Sequence, residues 1–288
     1  MQGQPERYVE GLPRPGRCLV MGVLNVTPDS FSDGGDFLDR DAAIRHGLAL
    51  RDHGADMVDV GGESTRPGAD RPSEHEELRR VLPVVTALAQ EGVVVSIDTM
   101  RAGVARDAVT AGARMVNDVS GGLADPAMLA TVADLQVPYV LMHWRAHSVT
   151  MQEHTSYDDV VNDVAKELSQ QLDAALEAGI APERIALDPG IGFSKTADQN
   201  WEVLAHLDRL QRLGRPVLVA TSRKRFLGTL LADEDGTLRP PKQRDAATAA
   251  TTALAAAAGA WCVRVHDVSA SADAVRVAAR WFGEGRDG

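Results

Sequence analysis

Asp98, Asn117 and Asp188 each follow a short apolar run that is typical of a buried β-strand. Carboxylate oxygens accept hydrogen bonds, and the Asn117 amide can both accept and donate. If the strand ends meet in space, these side chains form a single set of acceptors. Such a set suits a flat heterocycle with a guanidine-like edge, because its N–H groups need acceptors.

Lys224, Arg264 and His266 follow two further apolar runs and supply cationic donors. A phosphate or pyrophosphate needs such donors, and arginine can bind it bidentately. The segment 222–224 is also predicted to open a helix, whose N-terminus favours anions. Asn25 follows the first run with a hard amide oxygen. Mg²⁺ often takes one such protein oxygen and completes its coordination with substrate phosphates and water.

Each of these residues alone has a simpler explanation. A strand-end Asp or Asn is often a helix cap or a turn former, and a lysine is usually a solvated charge. Capping does not explain why nearly every predicted strand ends in a polar or charged group. Convergence of these groups therefore favours a binding site, provided that the fold brings the strand ends together.

The elements that must position these groups alternate along the chain. Short apolar runs predict strands at 18–24, 57–60, 93–97, 115–116, 139–142, 185–187, 217–220 and 262–265. Segments with 3.6-residue periodicity predict helices at 40–53, 74–90, 101–111, 126–135, 158–178, 197–207, 245–258 and 271–282.

Alternating strands and helices indicate an α/β protein with a parallel sheet. Eight such units favour a single (β/α)₈ TIM barrel over an open doubly wound sheet, and no nucleotide-type glycine fingerprint follows the first strand. The length of 288 residues fits one such domain. The predicted division is a polar N-terminal arm at 1–17 and the barrel at 18–288. In a barrel, all the strand-end groups point into one mouth.

Composition excludes several classes of partner. The net charge of −11 argues against nucleic acid, which normally needs a basic face. Cys18 and Cys262 lie in apolar runs without a framework of spaced cysteines, which predicts buried free thiols and a reducing cytoplasm. The segment 1–17 lacks the apolar core of a secretory signal. The segment 246–263 is predicted to be a helix, a turn and a strand, not a membrane span.

Several segments together resemble the dihydropteroate synthase family. They are MGVLNVTPDSFSDGG at 21–35, GGESTRPG at 61–68, SIDT at 96–99, VNDVSGG at 116–122, LDPGIGF at 187–193, SRKRFLG at 222–228 and RVHD at 264–267. They occur in the family's order and span nearly the whole chain after Arg17, so chance similarity is excluded. The resemblance implies condensation of 6-hydroxymethyl-7,8-dihydropterin pyrophosphate with p-aminobenzoate, giving 7,8-dihydropteroate in folate biosynthesis.

The resemblance also implies a role for each matching residue. The pterin would be held by Asp98, Asn117, Asp188 and Lys224, with Phe193 and Met142 as apolar walls. The pyrophosphate would be bound by Arg264 and His266, with Asn25 binding Mg²⁺. Two loops, one carrying Asp33 and the other Thr65, Arg66 and Pro67, would close over the site and form the p-aminobenzoate pocket.

The implied mechanism is a Mg²⁺-assisted, SN1-like substitution, with Asp33 and Lys224 as catalytic residues. The family is the target of sulfonamides, which would mimic p-aminobenzoate here, and it suggests a homodimer. Arg225 departs from relatives that have serine after the Ser-Arg-Lys run. A serine hydroxyl could bind the p-aminobenzoate carboxylate, whereas Arg225 could do so by charge or could point away.

Two alternatives belong to other classes. A methyltetrahydrofolate:corrinoid methyltransferase would share the pterin acceptors, but would need neither the Thr65-Arg66-Pro67 loop nor the anion site at 222–224. A catalytically silent paralogue would bind pterin without turnover, and would be expected to have lost parts of the two loops. Both loops are intact in this sequence, which favours the enzyme.

Overall fold

A computed structural model describes residues 8–27, 35–63, 71–147 and 153–283. Eight strands within these ranges form one parallel sheet. They are β1 (Leu19–Asn25), β2 (Met57–Gly61), β3 (Val95–Asp98), β4 (Met115–Asp118), β5 (Tyr139–Met142), β6 (Ile185–Asp188), β7 (Leu218–Val219) and β8 (Cys262–Val265). Each predicted strand is present, and no end differs from its prediction by more than two residues.

Helices follow the strands. They are α1 (Gly35–Asp52), α2 (Glu74–Gln90), α3 (Ala102–Thr110), α4 (Met128–Leu135), α5 (Val160–Glu177), α6 (Ala197–Ala205), α7 (Leu207–Gln211), α8 (Arg225–Leu230), α9 (Asp245–Ala257) and α10 (Val268–Phe282). The predicted helix 197–207 is divided because His206 leaves the helical conformation, with φ −123° and ψ 37°. The short helix α8 begins directly after Lys224.

The sheet closes on itself as a barrel. Its strand order is β6-β5-β4-β3-β2-β1-β8-β7. The two outer strands are joined by a bridge between Leu187 and Val217, and the Leu187 N–H donates to the Pro216 carbonyl over 2.8 Å. The prediction of a single (β/α)₈ TIM barrel is therefore confirmed.

The core has two layers. Outward-facing strand residues such as Val58 and Ile97 pack against helix residues such as Val84 and Leu88, and all four are buried. The barrel interior holds a second apolar cluster that includes Met21, Met57, Met115 and Cys262. Alternation along each strand separates the two layers, because successive side chains point to opposite faces.

The N-terminal segment packs against the barrel interior at the amino ends of the strands. Val9 and Leu12 are buried in the same cluster as Met21 and Trp261. Arg17 pairs with Asp56 at 2.7 Å, and the Asp56 carboxylate also accepts the Val20 N–H. The described part of the arm, 8–17, therefore packs as part of the barrel base.

Cys18 and Cys262 are buried and free, which confirms the prediction of free thiols. Among the residues that the structure describes, no helix combines the length and apolarity needed to cross a membrane.

Candidate active site

Inward-facing side chains change from apolar to polar towards the carboxyl ends of the strands. In β2 the inward position after Met57 is Asp59, and in β8 the position after Cys262 is Arg264. The same change gives Asn117 in β4 and Asp188 in β6. Because side chains alternate along a strand, these polar groups lie directly above the apolar interior. The barrel interior is therefore packed with apolar side chains towards the amino ends of the strands and is polar at their carboxyl ends, which form the mouth.

Arg264 is the centre of a buried ionic network. Its Nε donates to Asp59 Oδ2 and one Nη donates to Asp98 Oδ2, both over 2.6 Å. The Asn117 amide donates to the same Asp59 oxygen over 2.8 Å. The carboxylates of Asp59 and Asp98 raise the pKa of Arg264 although burial opposes this. The network fixes the guanidinium at the mouth.

Asp98 has an unusual electrostatic environment. Burial is the main cause that raises its pKa to about 7, while Arg264 lowers it and Asp59 raises it. The carboxyl group can therefore be protonated or ionised near neutral pH. A group with this property can accept a hydrogen bond from a ligand in one state and donate one in the other.

Asp188 and Lys224 influence each other electrostatically at the mouth. Burial raises the pKa of Asp188, and the nearby Lys224 opposes that shift. Burial lowers the pKa of Lys224 to about 8, opposed by Asp188. The Lys224 ammonium donates to the Ile191 carbonyl and lies 4.8 Å from the centre of the Phe193 ring. A charged donor thus lies against an aromatic face.

A short loop with unusual backbone angles carries that aromatic ring. Gly192 has φ +83°, and a Cβ at this position would lie 2.9 Å from Cδ of Lys224. Glycine therefore lets the lysine stem pass close to the loop. The Phe193 ring packs with Met100, Val119 and Met142 in a small apolar cluster. This cluster provides a flat wall beside the polar groups.

His266 and Asn25 lie at neighbouring strand ends. Ser222 Oγ accepts the backbone N–H of His266 over 3.1 Å and lies 2.9 Å from its Nδ1, which orients the imidazole. Asn25 ends β1 and is partly exposed. Among the described residues, no group of three His, Cys, Asp or Glu side chains can hold a metal ion.

Arg223 does not join the cations at the mouth. Its φ of +59° turns the side chain away, and its guanidinium pairs with Asp245 at 2.7 and 2.8 Å. Arg225 is exposed at the start of α8. Within the segment 222–225, only Lys224 therefore points its charge at the loop that carries Phe193.

Four predicted site residues lie outside the described residues. They are Asp33, Thr65, Arg66 and Pro67. The others that were predicted from the sequence are brought to one end of the barrel. They are Asn25, Asp98, Asn117, Asp188, Phe193, Lys224, Arg264 and His266.

Two residues that the sequence reasoning did not select also belong to this region. Asp59 is fully buried and pairs with Arg264, and a charged residue within the apolar run MVDVG was a usable signal. Lys195 is almost fully buried behind the Phe193 loop. No periodicity or spacing in the sequence marks Lys195.

The sequence of this chain is similar to those of known proteins. Residues 21–266 match the model of a family described as pterin binding enzyme. A dihydropteroate synthase from Mycobacterium leprae (strain TN) is 55% identical over 267 residues, covering 92% of this chain and 94% of that protein.

Solved structures show the same similarity. Xanthomonas albilineans dihydropteroate synthase with 4-aminobenzoic acid has a TM-score of 0.85 and 47% identity, covering 93% of both chains. The Xanthomonas albilineans enzyme in complex with 7,8-dihydropteroate has a TM-score of 0.82 and 45% identity, covering 94% of this chain and 95% of that one.

Proposed function

The chain belongs to the pterin binding enzyme family, and on that premise we propose that it is a dihydropteroate synthase. The reaction condenses 6-hydroxymethyl-7,8-dihydropterin pyrophosphate with p-aminobenzoate, giving 7,8-dihydropteroate and pyrophosphate. The observation that supports this most strongly is the pairing of buried acceptors, Asp98 and Asp188, with the cations Lys224 and Arg264 at one mouth. The buried acceptors suit the N–H groups of a pterin, and the cations suit its pyrophosphate.

Recognition of the pterin follows from the acceptors and the apolar wall. The proposed ligands for its ring N–H groups are Asp98, Asn117 and Asp188, which are all buried. A buried acceptor discriminates strongly, because a ligand without the matching donor leaves it unpaired. The cluster around Phe193 would cover the flat ring, and Lys224 would donate to an acceptor atom at its edge.

Recognition of the pyrophosphate is assigned to Arg264, His266 and Asn25. A guanidinium has five N–H donors, of which two engage Asp59 and Asp98. Asn25 supplies one hard oxygen, which fits Mg²⁺ because this ion commonly keeps substrate phosphates and water as its other ligands. Bound there, Mg²⁺ would neutralise charge on the leaving pyrophosphate.

We place the chemistry at the exocyclic methylene carbon of the pterin. Its C–O bond breaks and the pyrophosphate leaves with the electron pair, while Arg264 and His266 stabilise the charge that develops. The electron-rich dihydropterin delocalises the resulting cation, so the path is SN1-like. The arylamine nitrogen of p-aminobenzoate then forms the new C–N bond and loses a proton to solvent. It is a weak base, so no strong general base is needed.

The loops that carry Asp33 and Thr65-Arg66-Pro67 are assigned to the second half of the reaction. They would exclude water, which would otherwise capture the cation. They would also form the p-aminobenzoate pocket, which sulfonamides would occupy in competition. In this assignment Asp33 stabilises the pterin cation, and Lys224 donates a hydrogen bond to the pterin.

Release of pyrophosphate tests this function. Purified protein is given the pterin pyrophosphate and Mg²⁺, with and without p-aminobenzoate, and released pyrophosphate is measured. We expect release that depends on both p-aminobenzoate and Mg²⁺. Pterin binding without any release would identify the chain as a silent paralogue.

Asp33→Asn is expected to reduce kcat strongly while leaving the affinity for the pterin pyrophosphate within about threefold, because a neutral amide keeps the size of the side chain but cannot stabilise a cation. Direct binding and steady-state turnover are measured on the same preparations. Equal losses in binding and turnover would remove the catalytic role of Asp33. Asp41→Asn, at an exposed position of α1, is the matched control and should leave both binding and turnover unchanged.

We also propose a homodimer formed through α9 and α10. Val277 and Trp281 lie one helical turn apart on α10 and are 60% and 79% exposed, and Leu254 on α9 is 69% exposed. Three large apolar side chains on one helix pair are typical of a surface that another subunit covers. A second copy of this chain is the proposed partner.

Trp281→Lys is expected to convert the dimer to a monomer, since an unpaired charge would be placed in an apolar interface. Light scattering coupled to gel filtration measures the mass at micromolar concentration. Leu230→Lys, on α8 and 62% exposed, is the matched control and should leave the mass unchanged. An unchanged dimer in Trp281→Lys would place the interface elsewhere, and a monomeric parent chain would exclude the dimer.

A further inference from the structure

Lys195 is a buried cation whose hydrogen bonds join the loop after β6 to His143, which follows β5. It is 3% exposed. Its Nζ lies 3.0 Å from Nδ1 of His143 and 3.2 Å from the carbonyl oxygens of both Gly190 and Phe193. An ammonium has three N–H donors and therefore matches these three acceptors. Lysine is rarely buried to this extent unless its charge is paired or hydrogen-bonded.

A chain of ionisable groups orients His143. Nε2 of His143 lies 2.9 Å from Oε2 of Glu167, which also accepts from Nε of Arg145 over 3.0 Å. Although burial opposes ionisation, hydrogen bonds from His143 and Arg145 hold the pKa of Glu167 at about 2. Burial lowers the pKa of His143 to about 4, so the ring is neutral at physiological pH.

These charge states determine where the imidazole proton lies. Ionised Glu167 only accepts hydrogen bonds, so His143 must carry its single proton on Nε2. Nδ1 is then an acceptor that faces Lys195. The Nδ1 lone pair of the neutral ring thus accepts a hydrogen bond from Nζ of Lys195, and this bond positions the ammonium.

The loop held by Lys195 carries two parts of the pterin pocket. It presents the Phe193 ring to the mouth, and its Ile191 carbonyl accepts from the Lys224 ammonium. Its backbone is left-handed at Gly190, where glycine adopts a φ of +65° without strain, and at Ser194, where a φ of +47° is strained for a residue with a side chain. A strained angle persists only where surrounding contacts hold it, and the bonds from Lys195 to the Gly190 and Phe193 carbonyls are contacts of this kind.

The number of hydrogen bonds that Lys195 donates to the loop depends on its charge. Burial lowers its pKa to about 7, with Asp188 and Glu167 opposing the shift and Lys224 and Arg145 adding to it. A neutral amine has only two N–H groups for three acceptors. Because the Nδ1 lone pair of His143 still requires a donor, one loop carbonyl would lose its partner when Lys195 is deprotonated.

We propose that Lys195 is a positioning residue for the pterin pocket, an inference that rests on the proposed function. Its ammonium, oriented by His143, holds the turn that presents Phe193 and that supports Lys224. It touches no substrate itself. Pterin affinity should therefore respond to the charge of a group that lies behind the pocket.

Binding of 6-hydroxymethyl-7,8-dihydropterin, which lacks the pyrophosphate, tests this proposal by titration calorimetry between about pH 6 and about pH 9. Lys195→Met keeps the length of the stem but removes the donors. It is expected to weaken binding by at least about tenfold at pH 6, the size of one lost hydrogen bond from a charged group. Lys166→Met, at an exposed position of α5, is the matched control and should bind as the parent chain does.

Glu167→Gln provides a second variant that keeps the size of the side chain. Removing this carboxylate removes a charge that raises the pKa of Lys195, so the pH above which binding weakens should move lower. A residue that only filled space would not move this profile. Asp98 and Lys224 also titrate in this range, but they are present in both proteins and cancel in the comparison.

The outcomes separate the two proposals. Weaker binding in Lys195→Met together with a lowered profile in Glu167→Gln would support the positioning role. Parent-like affinity in Lys195→Met, or an unmoved profile in Glu167→Gln, would overturn it while leaving the proposed function intact. Failure of the parent chain to bind the pterin at any pH would overturn the proposed function, and the inference with it.

Discussion

Arg264→Met is expected to lower the free energy of unfolding by about 3–5 kcal/mol at neutral pH, because Asp59 and Asp98 would stay buried without their cation. Turnover should be lost as well, because the same guanidinium is assigned to the pyrophosphate. Denaturant unfolding measures the first effect and pyrophosphate release measures the second.

The stability deficit of Arg264→Met should depend on pH with a defined sign. The folded-state pKa of Asp98 is raised to about 7, mainly by burial, so its contribution to stability is present at low pH and is lost as pH rises towards that value. Removing Arg264 raises this pKa further. The deficit should therefore be larger at about pH 8 than at about pH 5.

Arg276→Met is the matched control for this prediction. Arg276 pairs with Asp273 on the exposed surface of α10, where an ion pair contributes little to stability. The control should therefore unfold like the parent chain at both pH values. A deficit in Arg264→Met that is absent, or equal at the two pH values, would contradict the assignment of a buried ionic network.

Lys224→Met is expected to weaken binding of the pterin pyrophosphate by about 10- to 100-fold, the range for loss of a hydrogen bond from a charged group. The methionine keeps an apolar stem beside Gly192 and so isolates the ammonium. Burial lowers the pKa of Lys224 to about 8, so affinity in the parent chain should fall as pH rises through that value. The part of this decline that follows the titration of Lys224 should disappear in the variant, and the part assigned to Lys195 should remain.

Lys242→Met, at an exposed lysine in the turn before α9, is the matched control and should bind normally. Titration calorimetry with the pterin pyrophosphate, in the absence of p-aminobenzoate, measures both proteins without turnover. Unchanged affinity in Lys224→Met would show that the anion and pterin site does not include this residue.

The barrel and most of its mouth were predictable from local patterns. Apolar runs marked the strands, and the polar residue after each run marked its carboxyl end, as at Asp98 and Asp188. Because side chains alternate along a strand, the sequence also indicates which residues within a strand face the barrel interior. It places Asp59 on the face of Met57, so a buried charge needing a cationic partner was predictable there.

The loop residues were harder to predict because their directions depend on backbone angles. Arg223 and Lys224 are adjacent cations, yet the left-handed backbone at Arg223 sends its side chain to Asp245. The partners of Lys195 lie directly after β5 and in the turn after β6, and His143 is 52 residues away along the chain. Only the assembled fold brings these groups together.

Mass spectrometry of a single turnover tests the central claim most directly. Enzyme in excess is mixed with 6-hydroxymethyl-7,8-dihydropterin pyrophosphate, Mg²⁺ and p-aminobenzoate, and the organic product is identified after quenching. A product with the mass of 7,8-dihydropteroate, formed by the parent chain and absent with Arg264→Met, is the predicted result. Recovery of unreacted pterin pyrophosphate from a parent chain that demonstrably binds it would contradict the proposed reaction.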